Sequence, residues 1–141
     1  MLAIYAPGTV YREFLWTTTP PKVKRYIILA ENTDSILIAL INSAININYL
    51  GTQELRNLQL KLSADGRSYL DHDSYLNCSQ VYEITKVSLL TRLKADRNMY
   101  IGTMNRADLE RATHLVVSAG TINAKIKRSY ALVSVKIPES R

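Results

Sequence analysis

The stretch Leu70–Ile84, LDHDSYLNCSQVYEI, decides how the chain is read. It begins with a polar turn, Asp71-His72-Asp73-Ser74. Alternation follows, with Tyr75, Asn77, Ser79 and Val81 on one side and Leu76, Cys78, Gln80 and Tyr82 on the other. A period of two predicts a β-strand. The same stretch gathers two aspartates, a histidine, serines and the only cysteine of the chain, the residue types of an acid–base or nucleophilic site.

Working upstream, Leu58, Leu60 and Leu62 alternate with Gln59 and Lys61 in ELRNLQLKL, a second strand closed by the turn Ala64-Asp65-Gly66. Three more strands precede it. GTVYREFLW follows a Pro-Gly breaker, a proline-containing loop covers Thr17–Lys24, VKRYIILAEN comes next, and SILIALI reads as a central strand buried on both faces. Downstream, TKVSLLTRL has helical spacing of Leu89, Leu90 and Leu93, and MYIGTM is a short strand closed by Gly102. Asn105 is placed to cap a helix whose apolar stripe is Leu109, Ala112, Leu115 and Val116, with Gly120 after its end.

The expected fold is therefore mainly β (α+β), a small antiparallel barrel or strongly bent sheet with a C-terminal helix. One domain over residues 1–120 is followed by a basic extension over 121–141, in which YALVSVKI can add a strand.

The 141 residues suffice for one core, and 47% hydrophobic with 21% charged residues is the balance of a soluble globular protein. A lone cysteine leaves no internal disulfide, and no Cys/His cluster has zinc-ligand spacing, so neither a metal nor a cofactor is expected. The start MLAIYAPGTVYREF lacks the basic and long apolar regions of a signal peptide, and the run ILIALI is far too short for a membrane span. A cytoplasmic location with no membrane partner is the expectation. Eighteen Lys and Arg against twelve Asp and Glu give +6, which favours a polyanionic partner.

The order of these segments, with KRYIIL, ILIALINS, LDHDSYLNCSQ and YIGTMNRADL in sequence, resembles the PemK/MazF-like toxins of bacterial toxin–antitoxin modules. The resemblance covers roughly Pro7 to Val117. It implies an SH3-like barrel, a homodimer, that cleaves single-stranded RNA or mRNA without a metal and is neutralised by a cognate antitoxin protein. Cleavage at a ribose 2′-hydroxyl needs a base, an acid and a donor for the phosphorane charge.

Arg25 stands where the family carries an arginine at the start of the second strand, and it is the expected phosphate clamp. Asn42 and Ser43 occupy the place of the hydroxyl residue that ends the third strand, and His72 is the one nearby group that titrates near neutrality. These four are the candidate catalytic residues. Lys24, Arg67, Tyr75, Asn77 and Lys86 are the candidate RNA-binding residues, with Tyr11, Tyr49, Tyr69 and Tyr82 as further stacking surfaces or ordinary core.

Each has a plainer reading. Arg25 and Lys24 can be a solvated strand end, Asn42-Ser43 a strand terminator, His72 a loop histidine, and Cys78 a small buried residue. One branch of the family places an arginine and an aspartate around the cysteine position, where this chain has Asn77 and Ser79, neither of which moves a proton near neutral pH. A silent barrel of the same fold, binding nucleic acid or a protein partner, is the alternative expectation.

Overall fold

The computed structural model describes residues 3–15, 22–43 and 51–132. Strands β1 (Thr9–Leu15), β2 (Lys22–Glu31) and β3 (Ser35–Asn42) form an antiparallel meander at its centre. Helix α1 (Gln53–Asn57) leads into β4 (Gln59–Leu62). Strands β5 (Ser74–Asn77) and β6 (Tyr82–Thr85) follow, then α2 (Lys86–Ala95), a 3-10 turn at Arg97–Met99 and β7 (Tyr100–Thr103). Helices α3 (Arg106–Ser118) and α4 (Ala124–Ser129) complete the described chain.

The strand order is β4-β5-β3-β2-β1-β7, with β6 also on β3, so seven strands make one antiparallel sheet. This is the small, mainly β architecture expected, curled into a half-barrel. Among the described residues, β4 and β7 are its two edges and do not pair with each other.

Alternation in β2 and β3 builds two cores at once. Ile27 and Leu29 lie with Leu37, Ala39 and Ile41 on a first face, beneath Ala112 and Val116 of α3. Tyr26 and Ile28 lie with Ile36, Ile38 and Leu40 on a second face, against Leu89 of α2 and Met99. Each such side chain taken from water contributes about 1.5–3 kcal/mol, which is why a strand apolar at every position settles in the middle.

The decisive stretch is not one strand. Its alternation breaks after Asn77, whose Oδ1 accepts from Ser79 N at 3.0 Å and from Ser79 Oγ at 2.5 Å, an Asx turn that diverts the backbone. An unbroken ladder running on from Ile41↔Leu76 would place residue 79 opposite Ile38, yet Tyr82 stands there, three residues later. An odd insertion exchanges faces. Leu76 and Cys78 accordingly belong to the first core, whereas Tyr82 packs on the second.

Two further details differ from the sequence reading. Strand β2 already begins at Lys22, and Gly102 sits inside β7 opposite Val10 instead of closing the strand. Gly102 has φ +155°, and a Cβ there would meet the Cβ of Tyr69 at 3.2 Å, so its role is close approach of β7 to the Tyr69 loop. Gly66, at φ +76°, makes the expected turn after β4.

Residues 121–132 pack against the barrel. Ile122, Tyr130 and Leu132 join the first core, and Lys127 Nζ donates to Val117 O at 2.9 Å and Ala119 O at 2.7 Å, satisfying carbonyls at the end of α3. Tyr130–Leu132 form the turn that ends α4, and the remainder of the YALVSVKI segment lies outside the described residues, as does Tyr49. No helix among the described residues is long and apolar enough to cross a membrane.

Candidate functional site

Antiparallel register fixes which predicted residues meet. Arg25 is opposite Ile41 on β3 and Arg12 on β1, so its side chain emerges on the first face at the rim of the core. Its Nη2 donates to Asp71 Oδ2 at 2.7 Å, with the arginine side chain 24% exposed and the aspartate 78% exposed. The Nε of Arg25 is buried with no hydrogen-bond partner among the described residues. Leaving such a donor unmade costs about 1–3 kcal/mol.

Asp71 is the chain neighbour of His72, so this ion pair ties the second strand to the LDHDS turn. His72 is exposed, with Nδ1 at 3.2 Å from Asp73 O and 3.4 Å from Ser74 Oγ. Ser74 Oγ donates to His72 O at 2.9 Å, and Ala64 N donates to Asp73 Oδ1 at 2.8 Å. These bonds fix the turn against β4 and leave the imidazole in solvent. A guanidinium and a carboxylate thus meet on this rim, next in the chain to the exposed histidine.

Asn42 is not part of that rim. It follows Ile41 on β3 and so points to the second face, where its Oδ1 accepts from Lys24 Nζ. Tyr75 lies opposite both Asn42 and Lys61, extending a polar row across β4, β5, β3 and β2. Burial, with Lys22 nearby, lowers the pKa of Lys24 from the usual lysine range. Ser43 is exposed just past the end of β3.

The other expected contacts are internal. Arg67 grips Asp108 with two bonds, Nε–Oδ2 at 2.8 Å and Nη2–Oδ1 at 3.0 Å, and donates to Ser63 O at 3.1 Å. The Asp108 side chain is 2% exposed and also accepts from Arg111. These hydrogen bonds hold its carboxyl below the usual range against the opposing effect of burial. Arg67 is therefore the bolt between the β4–β5 connection and α3, whose N-cap Asn105 accepts from Asp108 N at 2.8 Å.

Asn77, already bonded to Ser79, also accepts from Gln59 Nε2 at 2.9 Å. Lys86 donates to Glu31 at 2.7 Å and lies 5.1 Å from the centre of the Tyr5 ring. Cys78 is fully buried, and burial pushes its thiol up to about 12, so it stays protonated and unreactive at neutral pH. His114 is exposed on α3.

One constellation has no counterpart in the sequence reading. On the second face Glu13 Oε1 accepts from Tyr26 OH at 3.0 Å and Glu13 Oε2 from Arg92 Nε at 3.0 Å. Arg92 also donates to Ser88. Burial and the adjacent carboxylate push the Tyr26 phenol far up. Residues 13, 26 and 92 lie on β1, β2 and α2, too far apart along the chain for any spacing rule to link them.

No protein-family model matches this sequence, and no curated protein is significantly similar to it.

Proposed function

We propose that the protein is a toxin-like endoribonuclease acting on single-stranded RNA or mRNA at the rim formed by Arg25, Asp71 and His72. The observation that carries this reading is the 2.7 Å Arg25–Asp71 pair, which brings the strand arginine to the histidine turn while a second nitrogen of that arginine has no internal acceptor.

The chemistry follows from these groups. Neutral His72 takes the proton of a ribose 2′-hydroxyl, whose oxygen then attacks the adjacent phosphorus. Arg25 donates to the non-bridging oxygens as negative charge builds on them. The P–O5′ bond breaks, the 5′-oxygen leaves with a proton from solvent, and a 2′,3′-cyclic phosphate and a 5′-hydroxyl result. Substrate phosphate competes with the exposed Asp71 for the guanidinium, so Asp71 holds Arg25 ready in the free protein. Half-buried Tyr75 lies on β5 and exposed Ser43 just past the end of the neighbouring β3, while Asn42 serves Lys24. A homodimer and a small antitoxin protein belong to the same proposal.

The test is inducible expression in a bacterial host. The expected result is growth arrest with cleaved RNA, relieved by Arg25→Ala and by His72→Ala. The competing reading is a silent barrel that binds nucleic acid or protein, favoured by the mutual bonding of Asn77 and Ser79 where one branch of the family has proton-transfer groups. Unimpeded growth with intact RNA selects that reading.

A further inference from the structure

We propose that a cleft on the second face of the sheet, the face opposite to the Arg25 rim, is a binding site for a nucleobase with a guanine-like edge. The cleft holds about 420 Å³ and runs between the far end of β1, β6 and α2. Its size falls within the usual range of small-ligand sites, about 300–1,000 Å³.

Its walls are mostly apolar. Ile38 forms part of the lining, with Tyr82 and Ile84 on one side and Leu15 on another. Register explains the arrangement, because Tyr82 and Ile84 stand opposite Ile38 and Ile36 and share their face. Phe14, 47% exposed, stands at the β1 side. Such surroundings accept a planar ring and do not solvate a phosphate.

The polar groups specify the edge of that ring. The Glu13 side chain is only 10% exposed, yet it lines the cleft. Each of its oxygens takes one internal donor, from Tyr26 or Arg92, which leaves acceptor capacity on both. Arg92 and Ser88 supply donors beside them.

The two Glu13 oxygens accept adjacent N–H donors, as an N1–H and N2–H₂ pair presents, while the Arg92 end donates to a neighbouring carbonyl oxygen. Adenine lacks that donor pair and carbonyl. The base can come from a free nucleoside or from an unstacked position in single-stranded RNA, which is recognised by the same chemistry.

The test uses amide NMR of the intact chain. Guanosine is expected to shift the amides of Glu13, Ile84, Thr85, Ser88 and Arg92, with adenosine at least tenfold weaker. A short RNA containing one guanosine shifting those amides where free guanosine does not identifies RNA as the source, and both shifting them identifies the base itself. Glu13→Gln, which turns one acceptor into a donor, is expected to abolish the preference, with retained far-UV dichroism as the folding control. Shifts absent from the cleft with both ligands, or equal for guanosine and adenosine in the wild-type protein, overturn the proposal. None of these readouts depends on RNA cleavage at Arg25.

Discussion

Two arginine–aspartate pairs of nearly equal length behave as opposites. Arg25–Asp71 spans 2.7 Å with its carboxylate 78% exposed, and Arg67–Asp108 spans 2.8 Å with its carboxylate 2% exposed. In the first, water and a single bond hold the charges; in the second, two parallel bonds, Arg111 and a helix N-cap surround the aspartate. The difference separates an arginine that a ligand can recruit from one that the fold has consumed. Sequence alone cannot distinguish them, since each is an arginine near a polar turn.

The largest expected effect lies at the buried pair. Asp108→Ala strands Arg67 and removes the anchor of α3, and chemical denaturation should register a loss of about 3–5 kcal/mol. Its pH signature has a defined sign. Folding lowers the Asp108 pKa, so the unfolded state binds the proton more readily, the stabilisation is complete above the ordinary aspartate range, and it is lost as pH falls through the lower folded value. Asp108→Asn should flatten that acid limb, and an unchanged limb would mean that the pair is not the source.

Next comes the buried network of the second face. Glu13→Ala leaves the Tyr26 hydroxyl and Arg92 without their acceptor and should cost about 1–3 kcal/mol in the same assay. Asn105→Ala removes only the cap bond of α3, an expected loss of about 1 kcal/mol visible as a lower Tm. At the bottom stands Asp71→Asn, which breaks an exposed pair and should change stability by less than about 1 kcal/mol. A large loss there would erase the contrast between the two pairs.

Much of the fold could be read from periodicity. SILIALI is central because both of its faces are apolar, and Asn105 caps α3 as its side chain and position dictate. The break at Asn77 was hidden, because Ser79 and Val81 preserve the alternation that the Asx turn interrupts. The short helix α4 was hidden too, since AKIKRS carries few apolar positions and is fixed by Lys127 on the end of α3.

The site was legible only in part. Arg25 and His72 could be singled out by residue type and by the resemblance, but Arg67 and Asn77 looked equally available until their partners were in place. Asn42 lies one residue beyond Ile41, and the pleat sends it to the opposite face from Arg25. The Glu13–Tyr26–Arg92 network depends on contacts between three separate elements, for which local sequence carries no signal.

The most direct test of the account is cleavage of a defined single-stranded RNA by the purified protein, compared with Arg25→Ala, His72→Ala and Asp71→Asn. The account predicts products ending in 2′,3′-cyclic phosphate and 5′-hydroxyl, abolished by the first two changes and retained by the third with an altered KM. Intact RNA with wild-type protein, or cleavage undiminished in Arg25→Ala and His72→Ala, would contradict it.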